Sequence, residues 1–153
     1  MSKKTGDRYE RRLVNFFADA GYMVMRSPSS GSATTRAQPD VFALRDGERV
    51  AFEVKYEGSA EGIVYLDAEE VDALERFAEV ADAVPMVAVR WKRDGAFYLL
   101  DVDDLERTDG GDGDNYRVTR ERREHADVVL ADPEVKRGHG RTVAAVEKTG
   151  VLG

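Results

Sequence analysis

Residues 39–56 read PDVFALRDGERVAFEVKY, and this stretch contains both the turn that decides the local fold and the charged residues that point to a chemistry. An apolar run follows Asp40, an Asp-Gly pair interrupts it, and a second apolar run leads to Glu53 and Lys55. Asp-Gly between two strand-like segments is typical of a tight β-hairpin turn. The stretch therefore predicts two antiparallel strands joined at residues 46–47.

Alternation along the second strand sets the direction of its side chains. Glu53 and Lys55 are two residues apart and point to the same face, whereas Val54 points the other way, into the core. Asp40 opens the partner strand, so the hairpin is expected to bring its carboxylate beside that of Glu53. Two carboxylates and one ammonium group are then expected to meet at the edge of a sheet.

This set of groups suits the metal-dependent hydrolysis of phosphodiesters. Carboxylates are hard ligands that favour Mg²⁺ or Mn²⁺, and Asp40, Glu53 and the backbone carbonyl of Val54 are the candidate ligands. A bound metal polarises a phosphoryl oxygen and lowers the pKa of its water. Lys55 would orient or deprotonate that water and offset charge in the transition state. A simpler interpretation stays open, in which Glu53 and Lys55 are an exposed pair on an edge strand and Asp40 merely starts a strand after Pro39.

The patterns along the chain predict an α/β fold, with one mixed central sheet flanked by helices. The predicted elements are a helix over 6–21, strands over 22–26, 41–44, 49–56 and 63–66, a helix after residue 67, and strands over 84–91 and 96–102. Asp67 and Glu70 have the spacing of a capping box at the start of the second helix. A loop rich in serine, glycine and proline separates the first strand from Asp40.

A polar, glycine-rich segment at residues 108–115 is expected to end the compact part of the chain. The predicted division is a nuclease domain over residues 1–107, this linker, and an extension over residues 116–153. The extension carries several basic residues, has no assigned role and is expected to be loosely packed.

Composition narrows the class of protein. The chain has 153 residues, a net charge of −7 and no cysteine, which excludes disulfides and cysteine-ligated zinc. A charged start and the lack of a long apolar run predict a cytoplasmic protein with no signal peptide and no membrane span. The net charge is +2 over residues 1–60, −11 over 61–114 and +2 over 115–153. The many acidic residues and the excess of arginine over lysine suggest a halophilic source.

The Pro-Asp and Glu-x-Lys pair resembles the motif of the restriction-endonuclease-like superfamily. Four further segments resemble the archaeal Holliday junction resolvases within it: KTGDRYER at 4–11, GYMVMRS at 21–27, FEVK at 52–55 and VPMVAV at 84–89. The similarity spans roughly residues 3–105. It implies a homodimeric, Mg²⁺-dependent endonuclease that resolves four-way DNA junctions by paired cuts.

The resemblance also implies that Glu10 belongs to the active site and joins the metal ligands. In the sequence alone, this residue could equally be an ordinary acid on a helix surface beside Arg11 and Arg12. The net negative charge of this chain departs from the basic character of the family, and it leaves open which basic residues bind DNA.

Six residues on the first helix, the first strand and the serine-rich loop are candidate DNA contacts: Arg8, Arg11, Arg26, Ser30, Ser32 and Arg36. The resemblance assigns phosphate contacts to Arg11 and Arg26 and places the two serines near DNA. Alternatively, the helix arginines form a solvated face and Arg26 simply ends a strand.

Two other functions stay open at this point. One is a nuclease of the same chemistry that acts on flaps, mismatches or a restriction site. The other is a catalytically idle DNA-binding relative, against which the intact Asp40, Glu53 and Lys55 argue.

Overall fold

The structure, a computed structural model, describes residues 3–27, 38–108 and 115–132. Its helices and strands, in chain order, are α1 (Lys3–Asp19), β1 (Met23–Arg26), β2 (Val41–Arg45), β3 (Glu48–Glu57), β4 (Val64–Asp67), α2 (Ala68–Ala81), β5 (Val84–Trp91), β6 (Ala96–Asp101), β7 (Glu106–Thr108), β8 (Asn115–Val118) and β9 (Val128–Ala131). Short 3₁₀ turns follow β6 and β8. None of the described helices is long and apolar enough to cross a membrane.

The hairpin predicted from the Asp-Gly pair is confirmed. Strands β2 and β3 are antiparallel and meet at the pair Arg45↔Glu48, with Asp46 and Gly47 between them. These two turn residues have φ values of 47° and 84°. Two successive positive φ values characterise the type I′ turn, whose twist matches that of the flanking strands.

Strand β3 lies inside a six-stranded sheet with the order β1-β2-β3-β5-β6-β9. It pairs in parallel with β5, from Val50↔Val84 to Glu57↔Trp91, and the other neighbours in this sheet are antiparallel. A parallel pair needs a crossover connection, and the segment β4–α2 supplies it. The predicted α/β class with a mixed central sheet is therefore confirmed.

Hydrophobic cores lie on both faces of this sheet. One contains Leu13 and Phe17 of α1, and the other contains Leu74 of α2 together with Trp91. All four side chains are at most 2% exposed. Each helix therefore covers one face of the sheet, as expected for an amphipathic helix that must bury its apolar stripe.

The side chains of β3 alternate between these two cores. Phe52 and Val54 belong to the core under α1, whereas Ala51 belongs to the core under α2. By the same alternation, Glu53 and Lys55 lie on the face that α2 covers. The predicted inward direction of Val54 is confirmed, since this side chain is 7% exposed.

A second sheet, with the order β4-β8-β7, lies outside the main one. The expected strand at 63–66 is present as β4, but it pairs with β8 and is not part of the central sheet. Strand β4 leads directly into the helix cap at Asp67, and Val64 and Leu66 face the α2 core together with Val118 of β8. The sequence indicated one sheet only, because the partner strand comes some fifty residues later along the chain.

Strand β9 completes the main sheet at its outer edge. It pairs with β6 in a register that includes Leu99↔Val128, and Val128 and Leu130 are buried in the α1 core. The packed chain therefore extends to residue 132, beyond the domain boundary expected at residue 107. The pattern of alternation in β9 is only four residues long and follows a charged segment, so it gave little signal.

A buried arginine attaches the end of β9 to α1. Arg90 is 5% exposed, and its guanidinium group donates to both carboxylate oxygens of Asp132, to Oδ1 at 3.0 Å. The rings of Tyr9 and Phe97 each lie 5.1 Å from the guanidinium carbon, and Arg12 donates to Asp132 at 3.2 Å. A buried cation requires a partner, because losing one member of a buried pair costs several kcal/mol.

We predict that Leu130→Ala lowers the free energy of unfolding by about 2–5 kcal/mol, because it removes a fully buried side chain from the core. The matched control is Val129→Ala on the same strand, where the side chain is 40% exposed and the expected loss is below about 1 kcal/mol. Urea denaturation followed by circular dichroism measures both. Equal, small losses in the two variants would show that β9 is not part of the cooperative fold.

Candidate active site

Asp40 is held against β3 by its backbone and by its side chain. Its N–H donates to the Phe52 carbonyl at 2.9 Å, and its carbonyl accepts from Ser27 N–H at 3.0 Å. Its carboxylate oxygen Oδ2 accepts from the Val54 N–H at 2.9 Å. Strand β2 begins only at Val41, so the Asp40 side chain takes the next hydrogen-bonding position along the edge of β3. The hairpin thus fixes this carboxylate in orientation as well as in place.

The carboxyl groups of Asp40 and Glu53 are hydrogen-bonded to each other. Burial, and then the charge of Asp40, raise the pKa of Glu53 to about 9. Burial also raises the pKa of Asp40, against the hydrogen bond from Val54 and the charge of Lys55. Ionising both of two adjacent buried carboxyl groups costs considerable free energy, so such a pair shares a proton or binds a cation. The expected meeting of these two groups is present.

Lys55 extends from the same face of β3 and is bound by Glu70. The distance from Lys55 Nζ to Glu70 Oε1 is 2.7 Å. Burial lowers the pKa of the Lys55 ammonium group, but the hydrogen bond and charge of Glu70, with the charges of Glu53 and Asp40, outweigh it and leave the pKa above its ordinary value. The lysine is therefore a fixed positive charge beside the carboxyl pair.

Glu10 of α1 reaches the site from the other side. Its Oε1 accepts from Arg26 Nη2 at 3.1 Å and from Arg26 Nε at 3.3 Å. Burial raises the pKa of Glu10, the negative charge of Asp40 raises it further, and Arg26 opposes both. Glu10 and Asp40 therefore lie close enough to repel each other, and the site has three carboxyl groups and a lysine.

The donor groups suit a hard divalent cation. Asp40 and Glu53 offer buried carboxylate oxygens. A cation between them would offset the burial that raises both pKa values and the charge of Asp40 that raises the pKa of Glu53 further. In the described ranges no three acidic or histidine side chains converge in a metal-binding arrangement. The contacts explain why the three carboxyl groups do not converge on one point: Glu53 faces Asp40, whereas the Glu10 carboxylate is bound by Arg26. The Val54 carbonyl stays a prediction as a ligand.

The candidate DNA contacts divide into two groups. Arg8 and Arg11 are exposed on α1, as a surface for phosphate would require, although the structure does not test that role. Arg26 is bound by two acids, Glu10 and, at 3.1 Å, Asp7. Its contact with phosphate stays a prediction that would need it to leave or share these partners. The other three candidates, Ser30, Ser32 and Arg36, lie outside the described residues, as do the basic residues after residue 132.

Sequence reasoning missed the second role of Glu70, which it interpreted only as part of a capping box. The box is present: the Asp67 N–H donates to Glu70 Oε2 at 3.1 Å. The sequence did contain a signal for more, because Glu70 precedes the buried Leu74 by four residues and so lies on the helix stripe that faces the sheet. An acid on that stripe needs a cation, and Lys55 supplies it.

Comparisons with known proteins agree with this geometry. The family model described as archaeal Holliday junction resolvase (Hjc) matches residues 1–132. A protein of Sulfurisphaera tokodaii named crossover junction endodeoxyribonuclease Hjc is 30% identical over 120 residues, covering 78% of this chain and 79% of that protein. Its namesake from Sulfolobus acidocaldarius is 33% identical over 112 residues, covering 72% of this chain and 76% of that protein.

A solved structure shares the fold. The 1.6 Å structure of Archaeoglobus fulgidus Hjc, described as a Holliday junction resolvase from an archaeal hyperthermophile, aligns with a TM-score of 0.64 and 27% identity. The alignment covers 76% of this chain and 92% of that one. The fold is thus restriction-endonuclease-like, and the family match ends at Asp132, the last described residue, which pairs with Arg90. By its sequence and its fold, this chain belongs to the archaeal Holliday junction resolvase family.

Proposed function

We propose that this chain resolves four-way DNA junctions as a structure-selective endodeoxyribonuclease, using Asp40, Glu53, Lys55 and Glu10 as its catalytic residues. Membership of the family supports the substrate and the reaction. The observation that carries the assignment to these residues is the Asp40 carboxylate, bound to the Val54 N–H on β3 and paired with Glu53. An isolated surface pair would not require this fixed orientation.

The proposed cofactor is Mg²⁺, with Mn²⁺ as a substitute. Asp40 and Glu53 would hold it, with Glu10 and the Val54 carbonyl as further ligands. When bound, a metal of this kind polarises a phosphodiester and lowers the pKa of a coordinated water. The buried, adjacent carboxyl groups support this choice, since hard oxygen donors favour these two ions.

The residues of the chain have separate tasks in this proposal. The Val54 N–H keeps the Asp40 carboxylate oriented, so this group does not have to reorient during the reaction. Lys55 places a positive charge beside the scissile phosphate, where negative charge grows in the transition state. Glu10 lies near Asp40 and would add the third carboxylate.

The working enzyme is proposed to be a homodimer. A four-way junction requires two cuts at related positions, and a two-fold dimer supplies two equivalent active sites. One chain has one such set of carboxylates and lysine among its described residues. Phosphate contacts from Arg8, Arg11 and Arg26, and from the serine-rich loop, would position the junction between the two sites.

We predict that Asp40→Asn and Glu53→Gln each lower cleavage of a four-way junction by about 100-fold or more, because each removes a charged donor from the metal site. Junction binding is expected to stay within about threefold of the unmodified protein, since affinity depends mainly on phosphate contacts. Glu79→Gln, at an exposed position on α2, is the matched control and should cut normally.

The assay offers a four-way junction, a flap and a linear duplex, at low and at high potassium chloride, with Mg²⁺ or Mn²⁺. Paired nicks in the junction alone support the proposal. Cleavage of only the flap or the duplex contradicts the substrate, and retained cleavage in either acid variant contradicts the metal site. Binding without cutting in any metal would identify an idle relative.

We further predict that Mg²⁺ stabilises the DNA-free protein. A cation that relieves the repulsion between Asp40 and Glu53 should raise Tm by about 3 °C at ten times its Kd. The variant Asp40→Asn should lose this increase. Differential scanning fluorimetry with a Mg²⁺ titration measures both, and an equal increase in the two proteins would place the cation elsewhere.

A further inference from the structure

We infer that Glu70 is a positioning residue for Lys55, which it holds beside the carboxyl pair from the first turn of α2. The inference deepens the proposed function and rests on it, because it matters only if Lys55 acts on the scissile phosphate. It adds Glu70 to the four proposed catalytic residues.

Both carboxylate oxygens of Glu70 have separate partners. Oε1 accepts from Lys55 Nζ at 2.7 Å, and Oε2 accepts from the Asp67 N–H at 3.1 Å. The capping box therefore fixes the Glu70 side chain before it meets the lysine. Forming an ion pair normally costs conformational entropy in both side chains. Here the capping box has already ordered the Glu70 side chain, so only the Lys55 side chain bears that cost.

Packing of α2 fixes the direction from which Glu70 arrives. Val71 and Leu74 are at most 2% exposed and belong to the same core as Ala51 of β3. Glu70 stands one turn before Leu74, on the stripe that faces the sheet. Ala51 and Lys55 lie on the same face of β3, so the packing of α2 on this face places the Glu70 carboxylate over Lys55.

Lys55 has other acids within electrostatic reach. The charges of Glu53 and Asp40 both act on it, and a lysine side chain has four flexible carbons. Without Glu70, the ammonium group is free to turn onto these two carboxylates. It would then occupy the oxygens that we propose for the metal. Glu70 thus keeps the Lys55 ammonium group close to the carboxyl pair and prevents it from binding the oxygens proposed for the metal.

The test compares four variants in single-turnover cleavage of a four-way junction with saturating protein and Mg²⁺. Glu70→Ala should lower the cleavage rate constant about tenfold, while the junction Kd stays within about threefold, since binding depends on phosphate contacts. Glu70→Gln should show the same split, because an amide has one acceptor oxygen for two donors. Lys55→Ala should lower the rate constant at least as much as either.

Asp67→Ala is the matched control for helix stability. It removes the other half of the capping box and leaves the carboxylate of Glu70 in place. We expect a fall in Tm similar to that of Glu70→Ala, with a cleavage rate within about threefold of the unmodified protein. An equal loss of rate in Asp67→Ala would assign the effect to the helix start and overturn the inference.

The outcomes separate this inference from the proposed function. If Lys55→Ala is inactive and both Glu70 variants cut at the normal rate, Glu70 has no positioning role and the proposed site stands. If Lys55→Ala itself cuts at the normal rate, the catalytic role of Lys55 fails, and the inference fails with it. A weaker junction Kd that accounts for the whole loss in the Glu70 variants also overturns the inference.

Discussion

Strand β3 is hydrogen-bonded along both edges and covered on both faces, and the active site takes its geometry from this double constraint. β2 pairs with one edge and β5 with the other, so a slip by one residue would move Phe52 out of the core under α1 and put Glu53 into that core. Asp40 continues the β2 edge with its side chain, through the Val54 N–H. Asp40 and Glu53, the two carboxylates proposed as catalytic on this hairpin, are therefore positioned by the sheet itself.

The two helices bring the remaining charged groups to this strand from opposite faces. α1 supplies Glu10, which Arg26 holds near Asp40, and α2 supplies Glu70, which holds Lys55. In both cases an ion pair between neighbouring elements orients a group that the motif alone would leave free to rotate. The site is thus a set of buried carboxyl groups whose repulsion the surrounding cations limit, and a divalent cation would remove it.

The sequence sufficed for the parts of the site that depend on short separations along the chain. The Asp-Gly turn and strand alternation predicted the hairpin, the meeting of Asp40 with Glu53, and the inward direction of Val54. Contacts across long separations were not predictable. Lys55 meets Glu70 only because a crossover folds α2 over β3, and Arg90 meets Asp132 only because a four-residue strand returns to the sheet. Single sequences reveal periodicity, but they do not reveal which distant elements pair.

The pairing of Arg90 with Asp132 joins two residues that the ribosome adds to the chain at different times. A ribosome makes all the proposed catalytic residues early, yet the counter-charge for Arg90 is translated 42 residues after it. Until then the nascent chain has a cation without its carboxylate between α1 and the sheet, and β6 has an open edge. The ion pair between α1 and the end of β9 can therefore form only after β9 has been made. A half-made chain therefore contains the nuclease motif but lacks the carboxylate that ties Arg90 and Arg12 to the end of β9.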